Sequence, residues 1–339
     1  MVLACSAQRE AAPYRHRGYT TLIHVQGLTK RYGDKLALDN VSFDVQAGEI
    51  LGLLGLNGAG KSTTMNILTG YIGATSGTVT IDDHDISQEP IQAKRIIGYL
   101  PEQLAFYGDM RVREYLDFVC DLKGVKARRN EHLATLCEHV GIAHMTSRLI
   151  RNLSRGYRQR LGFAQALVGD PKVVILDEPT TGLDPSQVVE IRKLIRDLRK
   201  TSTVIISSHV LSEIQAICTR VVVLHQGRVL ADDTPEHLSR TARGSQHLVA
   251  RIQGQPERVQ AVLNQVAGIS RVTVLAQQEP GAYDYAIDTA RPTDVRVDLF
   301  RALARADLPL LSTHSGETSL EQVFLRLVTG QVTPPAEAN

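Results

Sequence analysis

The stretch Gly55-Leu56-Asn57-Gly58-Ala59-Gly60-Lys61-Ser62-Thr63 constrains this chain more than any other, because it fits G-x-x-x-x-G-K-[ST] at every required position. The apolar run Glu49-Ile50-Leu51-Gly52-Leu53-Leu54 ahead of it reads as a buried strand, and Met65-Asn66-Ile67-Leu68 behind it continues as a helix. In that context the glycines let backbone N–H groups close around phosphates, and the helix N-terminus adds a positive dipole end where the negative charge sits. Lys61 is expected to reach the β- and γ-phosphates of a nucleotide, and Ser62 to place its hydroxyl on Mg²⁺. An incidental Gly-rich turn would not have a strand and a helix in the right places on either side.

A chain of 339 residues is long enough for one large domain and one smaller one. A net charge of +2 with 22% charged residues carries no basic excess of the kind nucleic-acid binders show, so nucleic acid is not an expected partner. Cys5, Cys120, Cys137 and Cys218 lie far apart with no C-x-x-C, which reads as reduced structural thiols in a cytosolic compartment. The longest apolar runs, such as Val173 to Leu176 and Val221 to Leu224, have the length of core strands and not of membrane spans. Residues 1–20 carry Arg9, Arg15, His16 and Arg17 without an apolar core, so they read as a flexible basic tail and not a signal peptide.

Along the chain, Leu22-Ile23-His24-Val25 and Val41-Ser42-Phe43-Asp44-Val45 are strand-like, with a turn at Gly33-Asp34 between them. Tyr32 sits in that turn; an exposed ring there could stack on a purine base, and an ordinary half-buried turn tyrosine is the alternative. Gly77 to Ile86 reads as a hairpin and Ile96 to Leu100 as a strand ended by Pro101. Apolar repeats at Tyr115, Phe118, Val119, Leu122 and at Leu133, Leu136, Cys137, Val140 then predict a helical insert over about 111–168. Leu153-Ser154-Arg155-Gly156-Tyr157 opens the last of those helices, where Ser154 is either an N-cap or part of a second anion site.

Val173-Val174-Ile175-Leu176-Asp177-Glu178 is a continuous apolar strand ending in two acids, as expected of a buried parallel strand that delivers carboxylates to its C-terminal edge. Asp177 is expected to hold Mg²⁺ and Glu178 to act as general base for the attacking water. Pro179 to Pro185 forms a tight loop with a further acid, Asp184, and Val204 to Ser208 is a second buried strand that brings His209 to the same edge.

Taken in this order, the motifs of residues 22–238 resemble those of the ATP-binding subunits of ABC transporters. The resemblance implies that Gly55 to Thr63 are the Walker A loop, Asp177 and Glu178 Walker B, Leu153 to Tyr157 the signature, Asp184 the D-loop acid, His209 the switch histidine and Tyr32 the adenine-stacking aromatic. The signature has Arg155 where many members have glycine and Tyr157 where they have glutamine, a form close to that of the ABC-2 type exporters of the drug and gliding-motility kind. Glu102 occupies the place of the usual glutamine and Gln103 follows it, so the Mg²⁺- and water-sensing side chain is one of these two.

The implied fold is an α/β P-loop NTPase of the ABC ATPase type with antiparallel β and helical subdomains. Two such subunits, expected as a homodimer, would close head to tail over two ATP molecules, so that Ser154 and Gly156 meet the γ-phosphate held by the other. Residues around Glu102 to Glu114 would line the groove that receives a short helix from a separate transmembrane permease, at the cytoplasmic face of the plasma membrane. The alternative function is a soluble ABC ATPase acting on ribosomes or DNA. It is disfavoured because the chain has a single P-loop, and because residues 64–152 are too short for coiled coils.

The organisation expected is a tail over 1–20, an ATP-binding domain over 21–240, a linker at 241–246, an accessory domain over 247–330 and a disordered tail over 331–339. In the accessory domain, strand and helix periodicities alternate as β-α-β-β-α-β, which predicts a small α+β ferredoxin-like domain. A last helix striped by Leu320, Val323, Phe324 and Leu327 is expected to follow, and a partner-docking or regulatory role is implied by resemblance to ABC-2 type subunits.

Overall fold

The computed structural model describes residues 20–241, 247–289 and 294–315. All but residue 20 of the tail expected at 1–20, the tail expected at 331–339, most of the linker and the last helical stripe lie outside the described residues. The chain divides into two compact units, Met1–Pro235 and Glu236–Asn339.

In unit 1, β1 (Thr21–Tyr32) and β2 (Lys35–Gln46) pair antiparallel across a turn at Gly33, which takes a φ of 55°. Alternation turns Ile23, Val25, Val41, Phe43 and Val45 inward, each at most 1% exposed, while their neighbours face outward. Then β3 (Ile50–Leu54), five buried residues in a row, feeds α1 (Lys61–Leu68). The strands β4 (Ser76–Ile81) and β5 (His84–Asp85) complete a four-stranded sheet in the order β2-β1-β4-β5. A short α2 (Pro90–Arg95) leads to β6 (Ile97–Leu100), and the helical insert follows as α3 (Val112–Lys123), α4 (Arg129–His139) and α5 (Arg155–Leu167).

The remainder of unit 1 is β7 (Val173–Asp177), α6 (Pro185–Leu198), β8 (Thr203–Ser208), α7 (Leu211–Ile217), β9 (Arg220–His225) and β10 (Arg228–Asp233). With β3 and β6 these strands form a six-stranded sheet ordered β10-β9-β3-β8-β7-β6, parallel except for the β9–β10 hairpin. The middle strands β3, β7 and β8 are buried along their whole length, which is why they read as unbroken apolar runs. Parallel direction puts the residues after Leu54, Leu100, Asp177 and Ser208 on one edge of the sheet, where ligands bind in open α/β folds.

Unit 2 begins within α8 (Pro235–Thr241), ahead of the boundary expected at the 241–246 linker. Beyond it come β11 (His247–Gln253), α9 (Pro256–Leu263), β12 (Ile269–Glu279), β13 (Ala282–Thr289), α10 (Arg296–Arg305) and β14 (Leu310–Ser315). Every strand pairing is antiparallel and the order is β12-β13-β11-β14, the ferredoxin-like arrangement. Its core gathers Leu248, Ile252, Val259, Leu263, Ile287 and Leu299 around Tyr285.

Candidate functional site

The loop from β3 to α1 runs hard against the sheet. A Cβ on Gly55 would stand 2.6 Å from the Leu224 carbonyl oxygen, and one on Gly60, whose φ is 111°, would stand 2.6 Å from Leu38 Cδ2. Leu56, Asn57 and Gly58 form the exposed crown of the loop, Ala59 is buried, and Ser62 and Thr63 follow in the first turn of α1 with Ser62 exposed. Lys61 is only 6% exposed. Its ammonium donates to the Gly55 carbonyl at 2.8 Å and lies 3.9 Å from Glu178 Oε1. Burial holds its pKa below the ordinary lysine value, against the opposing pull of Glu178, Asp177 and Glu102.

Asp177 ends β7 with its carboxyl pushed up by burial, a shift that the Ser207 hydrogen bond opposes and the neighbouring charge of Glu102 reinforces. The Ser207 hydroxyl donates to Asp177 Oδ1 and accepts from the Glu178 amide at 3.0 Å, so one side chain of β8 fixes both acids of β7. Glu178 has a φ of 49°, a left-handed backbone that costs a non-glycine residue about 1 kcal/mol and turns its side chain off the strand direction. His209 Nδ1 lies 2.8 Å from Glu178 Oε2; a carboxylate can only accept, so Nδ1 carries the proton. The imidazole is half exposed while the carboxylate it holds is 9% exposed. Glu102 is exposed in the loop after β6, near enough for its charge to act on Lys61 and Asp177; Gln103 beside it is also exposed.

A second group lies on the helices. Ser154 is the N-cap of α5 and accepts from the Tyr157 amide at 3.4 Å, and Asp184 is the N-cap of α6 and accepts from the Gln187 amide at 3.0 Å. Gly156 is buried against the Gln187 side chain, where a Cβ would come within 2.7 Å of Nε2. Arg155 donates to the Thr181 carbonyl at 2.8 Å and buried Gln159 to the Pro179 carbonyl at 2.7 Å, so α5 grips the segment that follows Glu178. Tyr32 ends β1, 48% exposed, with the Lys30 ammonium 5.1 Å from its ring centroid. The sequence assigns no role to Ser207, Gln159 or Glu213; for Ser207 the available signal was a pair of serines, Ser207 and Ser208, closing an otherwise apolar buried strand.

Lys61, Asp177, Glu178, His209 and Glu102 thus meet at one sheet edge: a buried cation for phosphate, an aspartate and a serine hydroxyl as hard oxygen donors, and a glutamate oriented by an imidazole. Among the described residues no three His, Cys, Asp or Glu side chains are grouped as a metal site. Mg²⁺, which binds through one or two carboxylates together with substrate phosphates, suits such a donor set.

A family model described as ABC transporter matches residues 38–181. The bacitracin transport ATP-binding protein of Bacillus licheniformis is 32% identical over 92% of this chain and 98% of its own length. The linearmycin resistance ATP-binding protein of Bacillus subtilis is 30% identical over 90% of this chain and 98% of its own. Among solved structures, an ATP-binding subunit of an ABC transporter superposes with a TM-score of 0.61 at 29% identity, covering 65% of this chain and 92% of the other. A dimeric ATP-binding cassette in a post-hydrolysis state, bound to ADP and Pi, shares the fold at 24% identity with a TM-score of 0.58, over 63% of this chain and 98% of its own.

Proposed function

This chain belongs to the ABC transporter family as an ATP-binding subunit, and from that premise we propose that it hydrolyses ATP to power an ABC-2 type membrane exporter. The observation that carries the reading is Glu178 held at 2.8 Å by His209 and facing Lys61 at 3.9 Å, at the end of a parallel strand. Lys61 would leave the Gly55 carbonyl for the phosphates, which the exposed crown of the loop would receive. Glu178 would take the proton of the attacking water, with His209 fixing the carboxylate's direction; a positioned base is worth about 10²- to 10⁴-fold in rate. Mg²⁺, held by Ser62 and Asp177 with Glu102 nearby, would offset charge on the phosphate oxygens. The side chain that senses that metal would be Glu102, whose charge reaches Asp177 and Lys61, or Gln103 beside it.

Two copies closing head to tail would each offer Ser154 and Gly156 to the nucleotide of the other, with Asp184 beside the joint and Tyr32 against the adenine. Among the described residues no helix is long and apolar enough to cross a membrane; the permease we propose is a separate chain that holds this one at the cytoplasmic face. A cavity of about 490 Å³ in unit 1, lined by Tyr71, Tyr99, Tyr115, Phe118, Leu122 and Lys123, suits a short helix from that permease. It lies along α3, beside the expected 102–114 segment, whose Phe106 and Tyr107 pack on Tyr115 and Phe118 with ring centroids 5.3 and 5.8 Å apart. Leu122→Glu, at a position 72% exposed, should abolish co-purification of the permease while ATP binding persists; retained co-purification would remove this docking site. The names of the relatives make an antimicrobial compound the first cargo to test.

The reading is tested by ATP hydrolysis and dimerisation of the purified chain beside Glu178→Gln. The wild type should turn over ATP, and the variant should lose about 10²- to 10⁴-fold in rate and accumulate as an ATP-bound dimer. Equal hydrolysis by both would show that Glu178 is not the base.

A further inference from the structure

Glu213 is 6% exposed on the first turn of α7, outside every motif that the sequence points to. A glutamate three residues into a helix ordinarily reaches back to the N-cap amide. Here that amide, of Val210, is bonded instead to the Ser208 hydroxyl at 3.0 Å, and α7 has no side-chain cap. The Glu213 carboxylate serves other groups. Its Oε2 accepts from the Thr180 hydroxyl, two residues past Glu178, and from the Ser208 hydroxyl at 3.4 Å, one residue before His209. Its Oε1 faces Arg192 Nη2 of α6 at 3.8 Å, and Arg192 Nε is buried with no hydrogen-bond partner among the described residues.

The consequence is geometric. Ser208 donates to Glu213 and accepts from Val210, so its side chain brackets His209. Thr180 sits in the segment whose carbonyls at Pro179 and Thr181 are already gripped by Gln159 and Arg155 of α5, and whose Thr181 hydroxyl lies 3.4 Å from Glu178 Oε2. One carboxylate oxygen therefore touches both loops that must hold the Glu178–His209 contact. An uncompensated charge is costly to bury, and packing alone would be served as well by an apolar side chain. Resting on the reading of Glu178 as the base, we propose that Glu213 is a positioning residue that yokes the glutamate loop to the histidine loop. Arg192 is its countercharge, and joins α6, the helix capped by Asp184, to the same point.

The test uses the full-length chain and four variants: Glu213→Gln, Thr180→Val, Thr180→Ser and Glu178→Gln. Thr180→Val is nearly isosteric and exchanges only the hydroxyl for a methyl group, so it reports on the yoke even where Glu213→Gln fails to fold. Thr180→Val should lower kcat about tenfold, the worth of one hydrogen bond to a charged group, while the KM for ATP stays within about twofold. Thr180→Ser should recover most of that loss, which a merely structural packing role would not require. A Glu213→Gln chain that folds should behave like Thr180→Val. The yoke is overturned if Thr180→Val turns over at the wild-type rate, if Thr180→Ser is as slow as Thr180→Val, or if KM rises in step with the fall in kcat. Glu178→Gln separates the two readings: full activity there removes the base itself, whereas an inactive Glu178→Gln beside a normal Thr180→Val removes only the yoke.

Discussion

Unit 1 buries clusters of charge at both ends of its parallel sheet, whereas unit 2 buries one paired carboxylate, Asp284, beside a core built from apolar side chains and a single phenol. At the N-terminal end of β9, Arg220 is 5% exposed and saturated, donating to Glu49 at 2.8 Å, to Asp232 at 2.6 Å and to the Asp44 carbonyl. Burial pushes the Asp232 carboxyl up to about 6. At the C-terminal ends of β3, β7 and β8, Lys61, Asp177 and Glu178 are equally buried, yet they face exposed crown residues, a half-exposed imidazole and a left-handed backbone. Both clusters carry the burden of desolvating charge. The closed one ties sheet edges together, and the open one leaves its cation and carboxylates facing a place where a ligand can enter. Buried charge alone is therefore a poor marker of a site; buried charge at the C-terminal edge with incomplete partners is a better one. In the unit 2 core, Leu299, Leu303, Val259 and Leu263 of the helices pack on Leu248, Ile252 and Ile287 of the sheet, and the buried Asp284 carboxylate is met by Arg251 at 2.8 Å.

If that contrast is sound, damage to the two units should separate activity from stability. Glu178→Gln should cost about 10²- to 10⁴-fold in turnover with little change in melting temperature, since it keeps the side chain's volume and an acceptor for His209. Leu299→Ala should do the reverse. Leu299 is fully buried in the unit 2 core, and truncating such a side chain costs about 2–5 kcal/mol, read as an earlier unfolding transition in urea. Its ATP turnover, measured where the chain is still folded, should match the wild type. A fall in kcat for Leu299→Ala would join the two units energetically and break the comparison.

The sequence makes legible whatever is local. The loop 55–63, the acids after β7 and the histidine after β8 each lie beside the apolar run that positions them, so pattern and place are read together. Unit 2 is legible for a related reason: its elements are short and each shows one clean period, enough to give the β-α-β-β-α-β order. What is not legible depends on pairing across the chain. Glu213 reads as an ordinary helix N-terminal acid, because Thr180 lies 33 residues away on another loop. Gln159 lies between Arg158 and Arg160 on a helix that looks polar, and only tertiary packing turns it inward to the Pro179 carbonyl.

The smallest effect sharpens the comparison most finely. Tyr285 lies fully buried in the unit 2 core on β13, and its hydroxyl has no hydrogen-bond partner among the described residues. A buried hydroxyl without a partner loses its water and gains nothing in exchange, so Tyr285→Phe should stabilise the chain by about 1 kcal/mol at neutral pH. The pH dependence follows from burial, which raises the phenol above its ordinary value of 10.0. With the folded pKa above the unfolded one, the native state keeps its proton where the unfolded state has lost it, so the wild type loses stability as pH rises past 10.0. The variant has no such group, and its advantage should widen in alkaline solution while ATP turnover at neutral pH stays unchanged. Urea unfolding of the two chains at neutral pH and above pH 10.0 reads both terms. A Tyr285→Phe chain less stable than the wild type would mean that the hydroxyl is engaged, and that unit 2, like unit 1, keeps a polar group inside for a reason.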